Sequence, residues 1–125
     1  MKSVKVVNLL QGLAPTGAEE VFESLVQRPG FRLERILSWG QVTPEGEWYD
    51  QAEDEWVLLL VGGARLLIEG QGELTLVPGD TLLLPTHCRH RVSWTDPAQV
   101  TVWLALHFAP EGIDSKTEGR DGFAD

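Results

Sequence analysis

Pro78-Gly79-Asp80-Thr81-Leu82-Leu83-Leu84-Pro85-Thr86-His87-Cys88-Arg89-His90 reads as a tight turn, a four-residue apolar strand and a second turn ending on a histidine. Proline presets the first central position of the opening turn, and glycine supplies the positive φ that the second requires. Outward from this stretch the same grammar repeats. Short alternating segments lie near 31–38, 46–51, 55–61, 64–69, 73–77, 81–84, 89–94 and 100–108. Turn signals separate them: Thr43-Pro44-Glu45-Gly46, Gly62-Gly63, Gly70-Gln71-Gly72 and Asp96-Pro97. Many short strands with closely spaced turns predict an all-β sandwich or barrel built from antiparallel hairpins.

The first 30 residues look different. Thr16-Gly17-Ala18-Glu19 fits a capping box, and Ala18, Val21, Phe22 and Leu25 follow at helical intervals until Arg28-Pro29-Gly30. The spacing predicts one helix over 17–27 that packs outside the barrel. The expected organisation is one domain: an N-terminal strand and helix over 1–30, a barrel over 31–108, and an aperiodic, glycine-containing flexible tail over 109–125. Segments 55–61 and 100–108 are apolar on both faces, so each needs a second cover, and a homodimer is expected on this ground.

With 125 residues the chain can bury about two thirds of its surface without staples, and the single Cys88 has no partner within the chain. A formal charge of −9, from 10 basic and 19 acidic side chains, argues against nucleic acid or an anionic membrane as partner. No run of 18 apolar residues and no secretory pattern occurs, so a cytoplasmic address is expected. Phosphate-binding glycine loops, nucleophile elbows and CxxC pairs are also missing.

What remains for chemistry is a polar cluster in an apolar framework: Trp48-Tyr49-Asp50-Gln51, then Glu53-Asp54-Glu55, then His87 and His90, then His107. Glu55 opens the apolar run Trp56 to Val61 and shares its face with Val57 and Leu59. A carboxylate pointing into a barrel must meet a cation or donor, or take up a proton. Imidazole and carboxylate together form a donor set for divalent metals.

Glu55, six residues before Gly62, and Gly79, five residues before Pro85 and followed by His90, resemble the two motifs of the cupin superfamily over residues 31–108. The resemblance implies a small double-stranded β-helix, or jelly-roll, barrel of the single-domain microbial kind. In that family the first motif supplies two histidines and a glutamate as metal ligands, and the second supplies one histidine. Here Tyr49 and Gln51 fall on the two histidines in the shorter spacing, or Trp48 and Asp50 in the longer. His87 and Trp94 replace the glycine and asparagine of the second motif, and Thr43 replaces the first glycine.

Two of the four usual ligands, Glu55 and His90, are therefore kept, and both are also the candidate catalytic groups. The missing ligand is sought among Gln51, His87, Asp50 and His107, with Tyr49 and Trp48 as pocket walls. The resemblance implies a divalent metal (iron, manganese, nickel or zinc) and a small molecule bound in the barrel. Dioxygenase, isomerase and lyase chemistry are all consistent with it. Loss of both first-motif histidines supports the alternative, a metal-free cupin that binds or senses a small molecule.

Overall fold

The two-residue alternation becomes sheet as the sequence predicts, and it extends further toward the N-terminus. The computed structural model describes residues 3–14 and 18–110. Eight strands follow in order: β1 Val21–Arg28, β2 Phe31–Ser38, β3 Asp54–Val61, β4 Ala64–Ile68, β5 Gly72–Leu76, β6 Thr81–Leu84, β7 His90–Thr95 and β8 Thr101–Phe108. One sheet runs β1-β2-β8-β3-β6 and the other β5-β4-β7, and every pair is antiparallel. Each sheet turns its inner face to the other, as in a jelly roll.

The predicted helix over 17–27 is instead β1, paired with β2 from Val21↔Leu37 to Arg28↔Phe31. Thr16 and Gly17 of the capping box lie outside the described residues. Two physical causes account for the change. Pro29-Gly30, read as a helix stop, is equally a two-residue hairpin turn, and here Arg28 sits opposite Phe31 across it. Without β1, moreover, β2 would be a bare edge, whereas helix propensity over 11 residues contributes little by itself. A register shift between Ser24 and Val26 bulges Leu25 out of the ladder, which breaks the strand alternation that would have disclosed it.

The predicted strand at 46–51 is reduced to a single bridge, Tyr49↔His90. Pro44 cannot donate, and Glu47 N–H closes a turn on its carbonyl at 3.0 Å. The segment nevertheless follows the edge of β7: Thr43 N–H donates to Val92 O, Thr43 Oγ1 accepts from Val92 N–H, and Thr95 Oγ1 donates to Gln41 O.

Between the sheets, Val57, Leu59, Ala64, Leu66, Leu76, Leu84 and Trp103 form the dry core. The outer face of the larger sheet is partly covered as well. Leu37 and Val102 are buried there, and Arg35 donates to the carbonyls of Leu9 and Gln11 while pairing with Glu23. Thus the N-terminal segment covers the outer face at β2, through the carbonyls of Leu9 and Gln11. Val4, Val6 and Val7 remain exposed. Of the expected tail, Ala109 bonds Gly30 O at 3.0 Å, and residues 111–125 lie outside the described residues. Among the described residues no helix is long and apolar enough to cross a membrane.

Candidate functional site

Strand register places one charged row across the inner face of the larger sheet. Arg32 of β2 lies opposite His107 of β8, His107 opposite Glu55 of β3, and Glu55 opposite Leu84 of β6. The next inward-facing row is Glu34, Ala105 and Val57. The facing sheet contributes His90 and Val92 from β7 and Leu66 from β4. Together these residues line a cavity of about 260 Å³, closed elsewhere by Phe22, Tyr49, Gln51 and Trp103.

Residues 48–51 adopt the shorter of the two spacings considered. Tyr49 and Gln51 line the cavity and Trp48 and Asp50 do not. Tyr49 N–H donates to His90 O at 2.8 Å, His90 N–H donates to Tyr49 O at 3.1 Å, and the two rings stack with centroids 5.4 Å apart. Trp48, expected as a pocket wall, instead lies beneath the guanidinium groups of Arg89 and Arg91. Neighbours in an extended segment point to opposite sides, so fixing Tyr49 inward sends Trp48 and Asp50 outward.

His87 and Asp50 sit together outside the cavity lining. The 86–89 segment does turn, with Cys88 N–H bonded to Pro85 O, but His87 takes a positive φ of 58° and its side chain is 67% exposed. Its Nδ1 meets Asp50 Oδ1 at 2.7 Å on the rim. His107, by contrast, is 3% exposed inside the cavity.

Glu55 is 9% exposed, and its pKa is pushed up to about 7. Burial is the main cause and the Glu34 carboxylate adds to it, while Arg32 opposes and Glu53 adds further. Burial also holds the His90 imidazole below its ordinary value, against a hydrogen bond to the Cys88 carbonyl. That bond, Nδ1–H to Cys88 O at 2.8 Å, leaves His90 Nε2 as an acceptor facing Glu55 Oε1 at 3.7 Å. His107 is lowered by burial and by Arg32, with Glu34 and Glu53 opposing. Its Nε2 lies 3.5 Å from Glu34 Oε1 and 3.9 Å from Glu55 Oε2, and its buried Nδ1 has no hydrogen-bond partner.

Glu55 turns Oε1 toward His90 Nε2 at 3.7 Å and Oε2 toward His107 Nε2 at 3.9 Å. Among the described residues no group of three or more His, Cys, Asp or Glu side chains is placed to hold an ion.

Arg32, Glu34, Glu20, Phe22 and Trp103 were not singled out as site residues from the sequence. In β2 the face carrying Phe31, Leu33 and Leu37 looks like the inner one, yet Arg32, Glu34 and Ile36 line the cavity. The available signal was Arg35, a charge placed among those apolar residues, which marks that face as the one covered by polar backbone.

No family model and no curated protein matches the chain. Among solved structures, a Ralstonia eutropha JMP134 protein named provisionally as a mannose-6-phosphate isomerase is 44% identical, with 85% of this chain and 99% of that one covered and a TM-score of 0.82. A cupin superfamily protein of Desulfitobacterium hafniense DCB-2 is 18% identical, covers 86% of this chain and 94% of its own, and gives a TM-score of 0.68. An Fe(II) form of HppE shares the fold at 16% identity and a TM-score of 0.63, over 79% of this chain and 55% of its own. The barrel, its Glu55-to-Gly62 and Gly79-to-His90 stretches and the 44% identical relative lead to one assignment: the chain belongs to the cupin superfamily.

Proposed function

We propose that this cupin binds a small molecule in its barrel and moves a proton on it, with Glu55 as the acid and His90 as the base. The observation that carries this reading is the placement of Glu55 Oε1 and His90 Nε2, which approach to 3.7 Å from the two facing sheets and lie beyond hydrogen-bond reach of each other. A carboxyl group whose pKa is about 7 holds its proton in roughly half of the molecules at neutral pH. A neutral imidazole whose Nδ1–H is tied to a carbonyl presents a lone pair at Nε2. Acid and base side by side support proton-shift chemistry, of the isomerase or lyase kind, over oxygenation. A cavity of about 260 Å³ suits a ligand smaller than a drug-sized one.

Elemental analysis of protein purified without chelator or nickel resin, combined with mass spectrometry of co-purified small molecules, tests the reading. Metal well below one per chain is expected. Near-stoichiometric metal that is lost in both Glu55→Ala and His90→Ala would overturn it and restore the metal set expected from the sequence. Association of two chains is part of the same proposal, supported by Val4 and Val6, which are 95% and 96% exposed. Light scattering on an eluting peak is expected to return twice the 13.9 kDa chain mass.

A further inference from the structure

The charged side chains of the cavity are unequally divided by sign. Three carboxylates line it, Glu20, Glu34 and Glu55, against one guanidinium, Arg32. That guanidinium is already engaged: Nε lies 3.4 Å from Glu34 Oε2 and Nη1 lies 3.7 Å from Glu53 Oε1. Trp103 Nε1–H is spent on Ser38 Oγ, whose own proton goes to Glu20. The acceptors that face the space are the Glu34 carboxylate and His90 Nε2, a nitrogen on a side chain 7% exposed with no partner within hydrogen-bond distance. Gln51, the Tyr49 hydroxyl, the ring N–H of His107 and the protonated fraction of Glu55 are the donors on the lining.

Resting on the proton-transfer reading above, we propose that the ligand carries a positively charged amino group, received between Glu34 and His90, and that phosphorylated molecules are rejected. An ammonium offers three donors and no acceptor, which complements this wall. A phosphate ester is acceptor-only and doubly charged, and it would face the carboxylates with no free cation to receive it. The exposed ring of Tyr49 and the ring of Phe22 add aromatic surface on which a cation is stabilised. The name carried by the Ralstonia relative includes a sugar phosphate, and the charge of this cavity separates the present chain from such a ligand.

A matched series isolates the charge: mannosamine, mannose and mannose 6-phosphate, titrated calorimetrically into the full chain at neutral pH and low salt. Mannosamine is expected to bind at least tenfold more tightly than mannose 6-phosphate, with mannose between them. Glu34→Gln and Glu34→Leu are each expected to lower the preference for mannosamine over mannose at least fivefold; using both keeps the test valid if one variant fails to fold. Tightest binding by mannose 6-phosphate, or by mannose, would overturn the amine assignment and leave the Glu55–His90 reading standing. Failure of all three to bind would also overturn it. The proton-transfer reading fails separately, through the metal analysis.

Discussion

The two ends of β3 face the same barrel interior and do opposite work. At its far end Leu59 is fully buried, with Ala64, Leu66 and Trp103 in the same dry cluster. At its near end Glu55 shares the interior with His107, Arg32, Glu34 and His90. The dry end stabilises the fold by burial and packing, whereas the charged end burdens it with a carboxyl group that burial alone disfavours. One strand therefore carries both the stabilising core and a destabilising site, and the first offsets the second.

Replacing residues at the dry end should give the largest effects. Gly62 has φ of 92°, and a Cβ there would sit 2.7 Å from Thr101 Cα and 2.7 Å from Val100 O, both backbone atoms. Gly62→Val is expected to abolish folding or cost at least about 4 kcal/mol in urea unfolding, from backbone strain plus overpacking. Gly79→Val is the control. Gly79 has φ of 97° but open space where its Cβ would be, so only the backbone term of about 1–2 kcal/mol applies. Equal losses in the two variants would refute the close-approach account of Gly62.

Leu59→Ala comes next, with an expected loss of about 2–5 kcal/mol, since Leu59 has 0% exposure in a packed cluster. A loss below about 1 kcal/mol would mean that the dry end does not carry the fold.

At the charged end the sign reverses. The pKa of Glu55 rises from 4.5 to about 7 on folding. A raised folded pKa means that the native state holds the proton more tightly than the unfolded chain. Its favourable contribution is complete below pH about 4.5 and is lost as the pH rises to about 7. Glu55→Gln should therefore be more stable than the natural chain at pH 8, by on the order of 3 kcal/mol at most, with the gap closing near pH 4.5. Thermal unfolding across that range checks it, and a variant less stable at pH 8 would break the contrast between the two ends. His87→Ala, on the rim, should change stability by less than about 0.5 kcal/mol, because its Asp50 contact is between exposed groups.

Sequence reading reached the barrel because turn chemistry and two-residue alternation are local. Phe31–Ser38 and Thr81–Leu84 are read from the sequence with the bounds they have in the structure. It missed β1, where a Pro-Gly turn is compatible with either ending a helix or making a hairpin, and only the pairing with β2 decides. Glu55 and His90 were legible because their motif positions survive. Arg32 and Glu34 were not, since which face of β2 points inward depends on the backbone carbonyls of Leu9 and Gln11 that receive Arg35, contacts about 25 residues away in the chain. The diversion of His87 was hidden for a similar reason: a positive φ at a histidine leaves no mark in the sequence.

The barrel raises the pKa of the Glu55 carboxyl group until roughly half of the molecules hold its proton at neutral pH, beside a His90 held below its ordinary value. Carbon-13 NMR of the glutamate side-chain carboxyl resonances, assigned by comparison with Glu55→Gln and followed from pH 3 to pH 9, tests it directly. A single carboxyl titrating near 7 that disappears in the variant is the predicted result. A Glu55 resonance titrating near 4.5, with the other glutamates, would contradict the claim and leave the cavity without its acid.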